Sequence, residues 1–436
     1  MQTGRRLAAI ACSVVVACSP TSTTRPDAAP TASLTGTPSP ETVRDDLAQF
    51  EVKVVSAPAP GGPTVESYMT SIDFDHDGGR DVVIAWHSHT GGGHLQALRN
   101  NGSGNFVDAT ERVFDAAATK VDLARNFAVA DFNGDGLPDL AIADSGPDNP
   151  PFPGAQSRIF IGTAAGKLVD ETASRLPQTK AFTHDICAGD IDSDGDSDLY
   201  LSNLFSQGGT GPGLYLNDGS GHFTATTGRL GSSVGSGAVV YTACRFVDVD
   251  RDSDLDLVLG PIQGSNVPRE ALLLNDRHGK FSPSATEAMP LRAAPDDSTI
   301  YVEAADFSGD GWPDLLLTTY DKSFRNGKAH LLINRGNGSF EDRTDLIKNP
   351  PQSTSWFVGA RVFPRGPGSL PGFAMGPPAT LFLPTGTTFA ASAYRLFTPI
   401  PASGDVLPFD VDGDGKTDLF VNTAYGLFVI LLNLGP

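Results

Sequence analysis

The sequence predicts an all-β protein, a seven-bladed β-propeller of about 58-residue repeats closed by an N-terminal strand that completes the last blade. Three observations carry this expectation. An acidic nonapeptide recurs six times almost in phase, a Gly-rich turn recurs between its copies, and a strand-like segment before the first repeat matches one that the last repeat lacks. Composition agrees, because 48 Gly, 33 Pro and only 19% charged residues are too many turn formers for long helices.

The nonapeptide is D-x-[D/N/S]-x-D-x-x-x-D followed by apolar residues. It begins at Asp73, Asp131, Asp190, Asp248, Asp306 and Asp410, with gaps of 58, 59, 58, 58 and 104 residues. The last gap is close to two shorter repeats. Residues 361–376 keep the apolar frame of the second copy, with Phe363, Pro371 and Phe373 in place of Phe132, Pro138 and Leu140, but without its acidic positions. Seven repeats result, six acidic and one not.

The turn marker fixes the strands. Some 21 to 25 residues before each loop, apolar triplets lead into Asn-Gly or Asp-Gly turns and then usually a Phe, ending at Phe106, Phe223, Phe281 and Phe340, with degenerate copies at Leu168 and Phe389. Such runs read as hairpins, so each repeat is an antiparallel sheet of about four strands. Sheets with two apolar faces bury them by stacking radially. The chain stops just after the turn at Asn433, while Phe50–Val55 lies 23 residues before Asp73. That segment is expected to complete the last blade and remove an open edge.

Before the propeller, expected over residues 47–436, the chain divides in two. Residues 1–17 have a basic Arg5-Arg6 start and an apolar stretch, the layout of an export signal. Val15-Val16-Ala17-Cys18 resembles a lipobox, making Cys18 the expected lipidation site; an ordinary secretory cut at a nearby small residue is the alternative. Residues 18–46, rich in Ser, Thr, Pro and Ala, have no hydrophobic periodicity and suit a disordered tether. Export with lipid anchoring in the cell envelope follows, or secretion. A net charge of −20 excludes nucleic acid as a partner.

The acidic loops point to calcium. Their first, third, fifth and ninth residues are Asp73, Asp75, Asp77 and Asp81; Asp131, Asn133, Asp135 and Asp139; Asp190, Asp192, Asp194 and Asp198; Asp248, Asp250, Asp252 and Asp256; Asp306, Ser308, Asp310 and Asp314; Asp410, Asp412, Asp414 and Asp418. Oxygens alone, without Cys or His, suit a hard divalent ion, and the carbonyl of the seventh residue is expected to add a ligand. The EF-hand is rejected because the ninth residue is Asp and strands follow. The alternative is an Asx-bonded turn without an ion. About six Ca²⁺ would bring the charge from −20 to −8. The Asp248 loop, with Ser253 at the sixth position, and the Asp306 loop, with Ser308 at the third, are expected to be weaker.

The unit φφφ-D-x-D-x-D-G-x-x-D-L-φ followed by L-N-x-G-x-G-x-F resembles the FG-GAP/VCBS repeats of integrin α-subunit-type propellers, found also in bacterial lipoproteins. The resemblance covers residues 47–436. It implies seven blades, calcium in hairpin loops on one face, and ligand recognition most often on the other.

Other residues are weighed on that frame. Arg125, His184, Asp185, Tyr301, Glu303 and Trp356 precede their loops by three to six residues and are expected around the axis opposite calcium, as a binding funnel or as channel lining. The long connections of blades two to five carry Phe152, Phe205, Arg269, Tyr320, Asp321, Phe324 and Arg325, read as interface anchors or as loops packed on their own blades. Cys187 and Cys244, on adjacent inner strands, form a disulfide or remain two buried thiols. His87, His89 and His94 are read as a polar surface loop rather than a zinc site, and a triad from His184 and Asp185 lacks any nucleophile context. The functional expectation is a binding, adhesion or scaffolding module for a protein or glycan at the cell surface. The alternative is a polysaccharide lyase or hydrolase acting opposite the calcium loops.

Overall fold

The structure is a computed structural model. It describes residues 50–56, 66–87, 92–206, 213–231, 234, 239–262, 267, 269–292, 294, 297–321, 323, 326–348, 359–365, 368–376, 380–391, 405–424 and 427–433. Every described strand lies within Arg44–Pro436. Cys18, His89, Phe324, Arg325 and Trp356 lie outside the described residues.

The described strands form seven sheets, one per repeat. In blade 1 an inner strand, Glu66–Ile72, leads through the acidic loop to Asp81–His87, then Gly93–Asn100 and Phe106–Asp108. The plan recurs in blades 2 to 6, blade 6 without the acidic loop, with inner strands Ala124–Ala130, Lys180–Gly189, Tyr241–Val247, Ser298–Ala305 and Gly359–Phe363. Blade 7 consists of Val406–Phe409, Asp418–Ala424, Leu427–Asn433 and, from the other end of the chain, Phe50–Ser56. Phe50 pairs with Asn433 and Ser56 with Leu427, in seven antiparallel steps.

Period-2 alternation sends each strand into two cores at once. Val82 and Ile84 face the seam with blade 7, packed with Phe420 and Phe428. Val83 and Ala85 face the seam with blade 2, beside Leu140 and Phe160. One apolar cluster fills each of the seven seams.

The uniformly antiparallel expectation needs one correction. Ile347–Lys348 adds a fifth strand to blade 6, parallel to Phe389–Ala390. A second addition, Ala155–Gln156, lies antiparallel on the inner strand of blade 3. Two one-turn helices, Thr110–Val113 and Thr172–Arg175, follow outer strands. Each starts from an Asp-x-Thr signal: Thr110 and Thr172 Oγ1 accept from the backbone N–H of Ala97 and Ile159, tying the turn to the third strand. Among the described residues no helix is long and apolar enough to cross a membrane.

Candidate functional site

The acidic loops share one backbone. In all six, the fourth and sixth residues have left-handed φ, for example His76 at 62° and Gly78 at 88°. Ser253 holds the sixth position at 74°, where an L side chain is strained. The repeated left-handed fourth position, occupied by His76, Ser193 and Arg251 as well as by Gly, went unread in the sequence because only half its occupants are Gly.

Side chains wrap this backbone. The first Asp accepts from the sixth residue's N–H in every loop, at 2.8 Å for Gly136 on Asp131 and 3.1 Å for Gly195 on Asp190. The fifth accepts from the seventh residue's N–H, as in Leu137 on Asp135 at 2.9 Å. The ninth is a buried clamp. Asp81 Oδ2 accepts from Phe74 N and Oδ1 from Asn100 N, joining the inner strand's end to the end of the third strand. Asp139, Asp198, Asp256 and Asp314 repeat it. Burial first, and neighbouring carboxylates besides, push Asp81, Asp198 and Asp256 up to about 7 and Asp139 and Asp314 up to about 6.

Not every oxygen is used. Asp73, Asp75, Asp192, Asp250 and Asp254 each keep a buried Oδ1 without a hydrogen-bond partner. Four loops bring three carboxylate oxygens within 4.8 Å of one another: Asp73, Asp75 and Asp81; Asp190, Asp192 and Asp194; Asp248, Asp250 and Asp256; Asp410, Asp412 and Asp418. The other two are those with neutral Asn133 and Ser308 at the third position. In the first loop Arg99 also meets Asp75 through Nε and Asp77 Oδ2 at 3.0 Å.

At the opposite end of the inner strands, Tyr68, Arg125, His184, Asp185, Tyr301 and Tyr320 line an axial pocket of about 40 Å³. They come from blades 1, 2, 3 and 5. Arg125 is buried, donating from Nε to Ser145 Oγ at 3.1 Å and pairing with Asp148 at 2.8 Å, over the Phe182 ring. Burial, and then Arg125, hold His184 well below its usual pKa, so the imidazole is neutral. Tyr320, expected on an outward connection, turns inward to this pocket and is 5% exposed. Phe152, from another connection, packs edge-on against Phe182 at 5.4 Å.

Below lies a polar cavity of about 290 Å³, sharing Asn126, Asp185 and Tyr301 with the mouth. Glu303 stands between Arg245, at 3.3 Å, and Arg361, at 3.5 Å. Arg361 lies over the Tyr301 ring and 3.8 Å from Asp405. Gly359 makes this approach possible, since a Cβ there would come within 2.6 Å of the Tyr301 ring. Asp185 accepts from Asn126 Nδ2 and, at 2.8 Å, from Cys244 N in the next blade. Cys187 and Cys244 are joined as a disulfide, with Cα atoms 6.2 Å apart, in the same wall. Tyr68, Asn126, Arg245, Arg361 and Asp405 were not singled out in the sequence. Arg361 and Asp405 fall in the stretch with the weakest repeat signal, and the others sit in ordinary strand segments.

The family model described as FG-GAP-like repeat matches residues 73–142 and 131–201. No curated protein matches the chain. Solved structures similar to it include a variant of the Aleuria aurantia lectin in complex with alpha-methyl-L-fucoside, at 10% identity and a TM-score of 0.41, covering 76% of this chain and 96% of that one. Another, described as the structure of the Dos1 propeller, has 11% identity and a TM-score of 0.46, covering 89% of this chain and 96% of that one. Residues 73–201 thus match FG-GAP-like repeats, within a chain that folds as a seven-bladed β-propeller.

Proposed function

We propose that the chain is an exported, lipid-anchored, calcium-stabilised binding module that engages a protein or glycan at the propeller face opposite its acidic loops. The observation that carries the reading is the axial mouth. Aromatic and charged side chains from four blades converge there, at an end of the ring with no role in loop geometry. Calcium is supported by the partnerless buried carboxylate oxygens and by the three-oxygen clusters of four loops. An oxygen-only donor set of this kind suits a hard divalent ion. Bound there, the ion holds the hairpins and takes no part in recognition. Phe50 enters blade 7 beside Asn433, at the acidic-loop end. A lipid on Cys18 therefore tethers the module from the chain segment leading to that end.

Capture of surface proteins and a glycan array, read with wild type and with Tyr68→Ala plus His184→Ala, test the reading. Loss of capture with an unchanged calcium-dependent melt is expected. Capture unaffected by the pair refutes the site. Turnover of a captured glycan, abolished by His184→Ala, replaces it with a polysaccharide lyase or hydrolase. Release of the protein from membranes by Cys18→Ser tests the anchor.

A further inference from the structure

We infer that the axial chamber below the mouth is a binding site for a neutral saccharide unit, such as the terminal sugar of a glycan whose remainder lies across the mouth. This deepens the binding-module reading and rests on it. The charged groups lining the chamber are two carboxylates, Asp185 and Glu303, and two guanidiniums, Arg245 and Arg361. Their charges cancel. A wall whose charges already cancel offers a simple anion or cation little net attraction to offset its desolvation. It still presents donors and acceptors at close quarters, which suits a ligand carrying many hydroxyls, each able to donate and accept. Hydroxyls also replace chamber waters while reproducing their hydrogen bonds, so little is lost on exchange.

Size and rigidity agree. About 290 Å³ equals the share of roughly ten liquid waters at about 30 Å³ each, enough for one sugar ring. The wall between blades 3 and 4 is fixed by the Cys187–Cys244 disulfide and by the Cys244 N–H on Asp185. A preformed wall spares the ordering cost of binding. Arg245 keeps its side chain 42% exposed and, among the described residues, makes one ion pair, to Glu303. Above, Tyr68, Tyr301 and Tyr320 supply aromatic surface for the apolar faces of sugar rings.

The test titrates the full chain, loaded with calcium, with D-glucose, D-galactose, D-mannose, L-rhamnose and N-acetyl-D-glucosamine. Sodium sulfate serves as the anion probe, and binding is read by saturation-transfer NMR and calorimetry. Ala188→Leu adds bulk to the chamber lining, where Ala188 also borders the seam between blades 2 and 3, without touching the chamber charges, and Arg245→Met removes an exposed donor group while leaving Glu303 paired with Arg361. At least one sugar is expected to bind, with affinity lowered about tenfold or more by each variant, no competition from sulfate, and calcium-dependent melts unchanged. No binding by any sugar of the panel, binding indifferent to both variants, or displacement by sulfate each overturns the inference. Glycan capture lost in Tyr68→Ala but intact in both chamber variants also overturns it while leaving the binding module standing. Capture indifferent to mouth and chamber variants alike fells both.

Discussion

The side-chain amide of Asn100 in blade 1 donates to the backbone carbonyl of Val411 in blade 7 at 2.7 Å, across 311 residues of chain. Asn217, Asn275 and Asn334 make the same bond, each to the second residue of the preceding blade's acidic loop: Phe132, Ile191 and Val249. The second amide hydrogen goes to the eighth residue of the blade's own loop, Arg80 for Asn100. One asparagine thus ties a blade to its own loop and to its neighbour's.

Removing that tie leaves buried carbonyls without donors. Asn100→Ala is expected to lower stability by about 1 to 3 kcal/mol, and Asn334→Ala comparably. Urea unfolding measures it; an unchanged midpoint means water replaces the amide at no cost.

The loop backbone makes two opposite substitutions informative. Ser253→Gly is expected to stabilise by about 1 kcal/mol, because Ser253 sits at φ 74°. Gly195→Ala is expected to cost a similar amount from backbone strain alone, since nothing lies within 4 Å of the added carbon. Melting in excess chelator checks both. Calcium at a hundredfold excess over Kd is expected to restore about 2.7 kcal/mol per occupied loop. Asp194→Ala is expected to erode that gain more than Asp310→Ala, because the Asp194 loop brings three carboxylates together and the Asp310 loop does not.

The disulfide closes a 57-residue separation. Chain-entropy reasoning puts its stabilisation at roughly 4 kcal/mol. Cys187→Ala with Cys244→Ala is expected to lose about that much in denaturant titration. Denatured, unreduced protein is expected to show no labelling at either position.

Burial pushes Asp185 from 3.8 up to about 6. A folded value above the unfolded one means that the fold favours the protonated form. The contribution is fully present below about pH 4 and lost as pH rises through about 6. Stability of the wild type relative to Asp185→Asn is therefore expected to fall across that window, in urea titrations at stepped pH. Parallel profiles contradict it.

The blade count and the closure strand were legible because both rest on spacing: Asp73 to Asp306 in steps of 58 or 59, and Phe50–Val55 standing where a missing strand was needed. The degenerate sixth blade was legible only from its apolar frame. The clamp of Asp81 on Phe74 and Asn100 was hidden because a ligand and a buried acceptor look alike in sequence. The chamber was hidden for another reason. Arg361 meets Glu303 across 58 residues and Asp405 across 44, and neither pairing has a local pattern.

Blade 7 is woven from residues 50–56 and 406–433. A chain emerging vectorially can stack blades 1 to 6 in turn, but its earliest strand must wait for its latest before it has a partner. Closure is therefore the final event of folding, and it tests the integrity of everything between. A deletion or misfolded blade that changes the angular sum leaves Phe50 and Asn433 too far apart to pair, exposing two strand edges together with both faces of the seam between blades 7 and 1. Quality control acting on exposed apolar surface would then see an all-or-none signal rather than a graded one.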